Sequence, residues 1–235
     1  MKTLLKALCV LAATAFISSC IQDDTILYSD LRMVNVEGPS KLITDEGLVY
    51  NIVENSVSAI PDTLKRIMIL CDVLNESGTT EDEYDIRLLN FARVLTKDAV
   101  LRSAADEEAL GSDAIEPAQL WTGGKYINAA IQFTTVTGSK TYHTVNLVFD
   151  DTRNNPDTLF FSLRHNAHGE SFENEEIDPS LLTTSSDYVS FPIADYIPAG
   201  KEKMVVKLEW DWYKSEFQQY IREKEHHSID FTFSK

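Results

Sequence analysis

The sequence is poor in cysteine, with three in 235 residues. Cys9 and Cys20 both lie in the first twenty residues, a segment with the layout of a processed signal. Cys71 is therefore the one free thiol expected in the mature chain. An intramolecular disulfide is then excluded, and the fold must be stabilised by packing and hydrogen bonds. Cys71 ends the apolar run 67–71, where we expect a buried, inert side chain rather than a nucleophile.

The sequence also lacks a hydrophobic run long enough to cross a membrane as a helix. The stretch 7–17 comes nearest, but at about 1.5 Å per residue it would span only roughly half of a ~30 Å hydrocarbon core. Lys2 and Lys6 precede it and two serines follow it, which is the layout of a secretory signal. We therefore predict a cleaved signal peptide over residues 1–19.

Positive charge is scarce, with 21 Lys and Arg against 37 Asp and Glu and a net charge of −16. Removing residues 1–19 takes away two lysines and no acids, so the mature chain has 19 basic and 37 acidic side chains, a balance of −18. Such a chain repels phosphate backbones and anionic headgroups. Nucleic acid is therefore disfavoured as a partner, and attachment to a membrane must depend on a lipid.

The segment Ile17-Ser18-Ser19-Cys20 resembles the lipobox of bacterial lipoproteins, in which the signal is cut before the cysteine and the thiol carries diacylglycerol. We predict lipidation at Cys20 and a tether over 20–31; the alternative is an ordinary signal with a chance cysteine. The triplet Gln22-Asp23-Asp24 resembles the acidic export signal of Bacteroidota lipoproteins. It favours the cell-surface face of the outer membrane, with a periplasm-facing anchor as the alternative.

Motifs for enzymatic chemistry are missing: there is no nucleophile elbow, zinc-protease helix, EF-hand or phosphate-loop spacing. We predict no catalytic residue, no metal and no cofactor. The best candidate for chemistry is His165-x-x-His168-x-Glu170, which could bind zinc only if a tight turn brought both histidines together. The favoured interpretation is structural: Arg164 and Asn166 fix a turn, Gly169 takes a positive φ, and His168 lies at the surface.

The hydrophobic pattern predicts an all-β protein. Residues 32–101 fit a small barrel, the acidic stretch 102–117 fits a connection with a short helix near 104–110, and residues 118–235 fit an antiparallel β-sandwich. The clearest alternation of core and solvent positions is in Val206, Leu208, Trp210 and Trp212. We further expect a tight hairpin at 137–140, an edge strand over Val189–Ile193 that contains Pro192, and a short helix or irregular segment over 217–224.

Three segments resemble the NigD-like lipoproteins of Bacteroidota: Trp121–Asn128, Val145–Val148 and Leu163–Glu170, with Val94–Lys97 and Gly111–Asp113 supporting the first half. The resemblance implies an N-terminal OB-like barrel followed by a C-terminal β-sandwich. It also implies a relation to a founding member proposed, from its gene position, to confer bacteriocin immunity. The sequence departs from the family at His168, where an aromatic residue is expected, and over 217–227, which is longer and more charged.

We therefore expect a non-enzymatic outer-membrane lipoprotein that acts as a binding module, with a bacteriocin or an envelope protein as partner. A surface glycan-binding lipoprotein is the alternative, and a metal-dependent enzyme is a more distant one. The glycan alternative takes support from Trp210, Trp212 and Tyr213, which could stack on sugars, although the two tryptophans alternate with Val206 and Leu208 on one apolar face, which favours core packing for them. The predicted binding residues are Trp121, Arg164, His165, Asn166 and His168. Gly123-Gly124 is expected to form a turn or bulge that folds Trp121 over the sandwich edge.

Overall fold

The computed structural model of this protein describes residues 26–76, 82–153, 155–216 and 219–234. The predicted signal peptide, Cys20 and residues 21–25 of the predicted tether lie outside the described residues. Within them, the chain forms thirteen strands, one short α-helix and three single-turn 3-10 helices, which confirms the predicted all-β class. No helix in these ranges is long and apolar enough to cross a membrane.

The first five strands close into a barrel. Their order around it is β1-β2-β3-β5-β4 and back to β1, with β3 and β5 parallel and the other pairs antiparallel. This is the predicted OB-like barrel. Its interior is filled by alternate residues of neighbouring strands, including Val34, Tyr50, Ile67, Ile69 and Ile86. The strands are β1 (Tyr28–Val36), β2 (Lys41–Thr44), β3 (Val49–Asn55), β4 (Arg66–Glu76) and β5 (Glu83–Thr96).

The remaining strands form a two-layer sandwich. One layer has the order β11-β8-β7 and the other has the order β13-β12-β10-β9-β6. The period of two is clean in β10, where Leu159, Phe161, Leu163 and His165 are buried and their neighbours are not. The strands are β6 (Val100–Leu101), β7 (Glu116–Gly123), β8 (Tyr126–Val136), β9 (Thr144–Phe149), β10 (Thr158–Asn166), β11 (Leu182–Pro192), β12 (Lys203–Glu216) and β13 (Gln219–Ser234).

Strand β5 belongs to both parts of the molecule. Its residues up to Arg93 close the barrel against β3 and β4, and its last residues pair in parallel with β11, Val94 opposite Tyr188. Barrel and sandwich therefore share one continuous sheet of eight strands. The stretch predicted as a connection contains helix α1 (Glu107–Leu110), capped by the Asp106 side chain, and contributes the buried Ile115 to the sandwich core. The domain limits stay a prediction, which fragments beginning at residues 99 and 118 would test.

Three local expectations are wrong. The turn at 137–140 does not join a hairpin, because β8 pairs with β7 and β11 while β9 lies in the opposite layer. Strand β11 is internal, not an edge strand; Pro192 is tolerated because pairing with β5 stops at Ser190. Residues 219–224 of the segment expected to be helical or irregular belong to β13, and residues 217–218 lie outside the described residues. In addition, β6–β9 and β10–β12 are parallel pairs within an otherwise antiparallel sandwich.

Candidate functional site

The barrel and the sandwich are joined by a buried arginine. Arg66, the first residue of β4, is 1% exposed. Its Nε donates to Ser190 Oγ at 2.8 Å and its Nη1 to Asn35 Oδ1 at 3.1 Å. Its Nη2 donates to Asp45 Oδ2 at 2.7 Å and to Asn128 Oδ1 at 3.1 Å. Two of these partners belong to the barrel and two to the sandwich, so one guanidinium links both.

The turn at Gly123 and Gly124 fits closely against the barrel. A Cβ on Gly123 would lie 2.2 Å from Asp45 Oδ2, and Gly124 has φ +52°. Both positions therefore need glycine, the first for space and the second for its backbone conformation. The predicted turn is present, but its role is to let the Asp45 loop approach. The Tyr126 ring completes the contact, stacked 3.9 Å from the Arg66 guanidinium.

An open cleft of about 340 Å³ lies beside this junction. Trp121 from β7 and Tyr188 from β11 form one side, and both are half-buried against Met33 and Met68 of the barrel. The polar part of the lining consists of Arg32, Asp45, Glu46, Gln119 and Thr122. This cleft combines two aromatic faces with hydrogen-bonding groups, which is the composition of a ligand site.

A second cluster of ionisable groups lies inside one end of the sandwich. The His165 side chain is 1% exposed, with Nδ1 3.0 Å from the Ala114 carbonyl oxygen and Nε2 3.0 Å from His143 Nδ1. His143 Nε2 in turn lies 3.5 Å from Glu170 Oε2. The Phe133 ring packs on both imidazoles. The result is a buried row of two histidines and a carboxylate.

Hydrogen bonding fixes the protons of this row. A carbonyl oxygen only accepts, so His165 carries its proton on Nδ1, and its Nε2 accepts from His143 Nδ1–H. Burial is the main reason that the pKa of His165 falls to about 4. Burial acts to raise the pKa of Glu170, but hydrogen bonds led by that from Ser139 outweigh it and lower this pKa to about 2. The row is thus built to keep His165 neutral.

Comparison with known proteins assigns the family. The model for the NigD-like C-terminal beta sandwich domain matches residues 99–223, which is more than half of the chain. The chain belongs to the NigD-like family. No curated protein matches it in sequence.

Three solved structures similar to this NigD-like protein come from Bacteroides species. A protein of unknown function from Bacteroides vulgatus is 18% identical, with 88% of this chain and 91% of that one covered and a TM-score of 0.64. A NigD-like immunity protein from Bacteroides caccae is 16% identical, with 88% and 96% covered and a TM-score of 0.57. A candidate lipoprotein from Bacteroides fragilis is 13% identical, with 86% and 97% covered and a TM-score of 0.58. At these identities the likeness concerns the fold.

The turn after β10 of the NigD-like protein has the structural role predicted for it. Arg164 donates from Nε to the Gly111 carbonyl oxygen at 2.8 Å, and Asn166 Oδ1 accepts from the His168 backbone N–H at 2.9 Å. Gly169 has φ +90°, and His168 is exposed with φ +50°. Arg164 and Asn166 therefore fix the strand end, and His165 and His168 do not converge. Among the described residues, no group of three or more His, Cys, Asp or Glu is arranged to hold a metal ion.

Other predicted positions also have clear places in the NigD-like fold. Cys71 is fully buried, and burial raises its pKa to about 12, as expected of an inert thiol. Trp212 and Tyr213 are buried and Trp210 is half-buried, stacked on His227, so these three do not form an open sugar platform. Of the five residues predicted to bind, Trp121 alone lines the cleft.

Sequence reasoning missed Arg66, Asp45, Tyr188 and His143. Arg66 immediately precedes an apolar run, and a charged residue there reads as the solvated start of a strand. Asp45 is followed by Glu46 and Gly47, so it reads as a solvated turn residue. Their burial depends on a second part of the chain folding against the barrel, and no local pattern carries that information.

Acidification should weaken the fold through His165. The unfolded chain takes up this proton near the ordinary histidine pKa of about 6.5, whereas the folded chain resists it until about pH 4. The unfolded state therefore binds more protons in between, and the free energy of unfolding should fall by about 2 kcal/mol as the pH drops from 6.5 to 4.5. Among the titratable neighbours, His143 lowers this pKa and Asp113 raises it, and His168 has the smallest effect.

Urea denaturation at several pH values measures this effect. His165→Leu should flatten the dependence between pH 6.5 and 4.5, where most carboxylates stay ionised. His168→Ala, which removes an exposed imidazole, should keep the wild-type slope. An unchanged slope in His165→Leu would contradict the assignment of a neutral, buried His165.

Proposed function

We propose that this protein is a non-enzymatic, lipid-anchored binding protein of the bacterial envelope, and that its partner binds in the cleft beside Trp121. The observation that carries the proposal is the cleft itself. Trp121 and Tyr188 are half-buried yet open to solvent, between two parts of the chain that the buried Arg66 joins. Aromatic anchors in a preformed recess are typical of sites where binding energy is concentrated.

Burial of the most perturbed groups supports binding over catalysis. A catalytic acid or base needs a perturbed pKa and access to its substrate. His165 has a strongly lowered pKa, but both ring nitrogens are engaged inside the sandwich and the side chain is 1% exposed. Cys71 is 0% exposed, with a thiol pKa raised to about 12, far from thiolate reactivity. Neither group can meet a substrate.

The favoured partner is a protein, either a bacteriocin or another component of the envelope. The fold relation to a protein described as a NigD-like immunity protein from Bacteroides caccae supports this choice. A glycan is the second candidate, because Gln119 and Thr122 lie beside Trp121 and could hydrogen-bond sugar hydroxyls. The proposed site of action is the outer membrane, facing outward. Protease added to intact cells would distinguish this from a periplasm-facing anchor.

Removal of the cleft aromatic should abolish partner binding. Cells lacking the native gene would carry the wild-type protein, Trp121→Ala or Tyr142→Ala, the last removing a 75% exposed aromatic that does not line the cleft. We expect Trp121→Ala to lose at least tenfold in protection against a bacteriocin preparation, or in retention of a labelled envelope polysaccharide. Tyr142→Ala should match the wild type. Equal behaviour of the two variants in both assays would rule out the cleft as the site.

Lipidation at Cys20 should decide where the protein resides. Cys20→Ser has no thiol to alkylate, so the protein should lose its acyl mass and leave the membrane fraction. Cys9→Ser is the matched control, since Cys9 lies in the predicted signal and should not affect acylation. Mass spectrometry and membrane fractionation measure both effects. Acyl chains retained on Cys20→Ser would show that the lipid is attached to another residue.

A further inference from the structure

An apolar stripe leads from the outer face of the barrel into the cleft. Leu31 on β1 lies opposite Leu70 on β4, and the next pair on the same face is Met33 opposite Met68. Leu31 and Leu70 are 63% and 40% exposed, whereas the two methionines are buried under Trp121 and Tyr188. Large apolar side chains exposed in a continuous row are typical of a surface that a protein partner covers. Sugars, in contrast, gain little from leucine side chains that offer no hydrogen bonds.

The cleft wall next to this stripe has unused negative charge. The Asp45 side chain is only 8% exposed; its Oδ2 accepts from Arg66, while Oδ1 has no hydrogen-bond partner among the described residues. Glu46 is 66% exposed and pairs with Arg32, which also contacts Asp30. The lining of the cleft thus has two carboxylates, Asp45 and Glu46, and one guanidinium, that of Arg32. A buried carboxylate oxygen without a donor favours a ligand that brings one.

We propose that the occupant of the cleft is a segment of a protein partner that presents an apolar side chain next to a lysine or arginine. The apolar side chain would pack on Leu31 and Trp121, and the cation would lie between Glu46 and Asp45. The faces of Trp121 and Tyr188 also attract a cation. The balance of −18 on the mature chain would accelerate encounter with a basic partner. This inference rests on the proposed function, since it names the partner class for the same cleft.

Three matched peptides test the inference: acetyl-Phe-Lys-Leu-amide and its versions with Gln or Glu in place of Lys. Dissociation constants for the mature lipoprotein in detergent would be measured by NMR titration, with empty micelles as the blank. We expect the Lys peptide to bind at least fivefold more tightly than the Gln peptide, and the Glu peptide to bind most weakly. Glu46→Gln should reduce the Lys preference to twofold or less. Glu175→Gln removes the same charge from an exposed loop of the sandwich and should leave the preference unchanged.

The apolar half of the inference has its own variants. Leu31→Ser should raise the dissociation constant of the Lys peptide at least threefold. Leu181→Ser, at a position on the sandwich that is 49% exposed, should leave it unchanged. Equal binding of the three peptides, equal effects of Glu46→Gln and Glu175→Gln, or no peptide binding at all would overturn the inference. If an oligosaccharide binds in a Trp121-dependent way and the peptides do not, the proposed function stands and the inference fails. If no binding of any kind depends on Trp121, both fail.

Discussion

Replacing Arg66 with methionine should lower the free energy of unfolding by about 3–5 kcal/mol, the usual cost of removing one partner of a buried ion pair. The Asp45 carboxylate would stay buried with its cation gone, and Asn35, Asn128 and Ser190 would each lose a hydrogen-bond donor. Denaturation in urea, followed by tryptophan fluorescence and by circular dichroism, measures the change. Because Arg66 joins barrel and sandwich, the unfolding transitions seen by fluorescence and by circular dichroism should also occur at different urea concentrations in the variant.

Two further variants test whether the loss of stability comes from the uncompensated buried charge of Asp45. Arg66→Met combined with Asp45→Asn removes both charges and should recover part of the lost stability, since an uncompensated buried charge is the main cost. Arg153→Met removes a surface arginine that pairs with Glu209 and should cost no more than about 1 kcal/mol. A loss below about 1 kcal/mol in Arg66→Met would show that the junction contributes little to the fold.

Gly111→Ala should be the most damaging of the small substitutions, at about 2–5 kcal/mol from combined overpacking and backbone strain. Its Cβ would lie 2.6 Å from both the His165 carbonyl oxygen and the Asn166 Cβ, and Gly111 has φ +69°. These contacts are with the backbone of β10, which cannot move without disturbing the His165 row. The carbonyl of Gly111 also accepts from Arg164, so a shift would cost that bond as well.

Gly138→Ala separates the two causes. Gly138 has φ +77°, but an added Cβ would meet nothing within 4 Å. It should therefore cost only the strain of the left-handed conformation, about 1–2 kcal/mol. Urea midpoints of the two variants compare them directly. Equal losses would mean that the close approach at Gly111 is relieved by a small movement of the loop.

Local sequence patterns predicted well what depends on neighbours in the chain. The strand character of β10 and β12 follows from their period of two, and the turn at 164–169 follows from the hydrogen-bonding capacity of Arg164 and Asn166 and from a glycine at the right place. The pairing of strands is a different matter. A turn that contains Gly138 can close a hairpin, or it can lead the chain from one layer of the sandwich to the other. Which of the two forms depends on the strands that pair with β8, here β7 and β11.

The candidate site was the least predictable part, because distant segments build it. Arg66 and Ser190 are 124 positions apart, and Arg66 and Asn128 are 62 apart. Trp121 could be singled out as a binding residue, but its partners Met33, Met68 and Tyr188 read as ordinary core positions of separate strands. His143 was overlooked for the same reason: its contact with His165 exists only because β9 lies beside β10.

The strand shared by barrel and sandwich has a consequence for how tightly a partner could be held. Hinged proteins close on their ligands and spend free energy on ordering the hinge. Here the two walls of the cleft belong to one hydrogen-bonded sheet through β5 and β11. Arg66 also links them, through its hydrogen bonds to Ser190 and Asp45. The width of the cleft is therefore set before any encounter. Selection among partners then depends on how well their shape and charge fit the preformed cleft. Partner variants that bind more tightly would be expected to differ mainly in a slower dissociation rate.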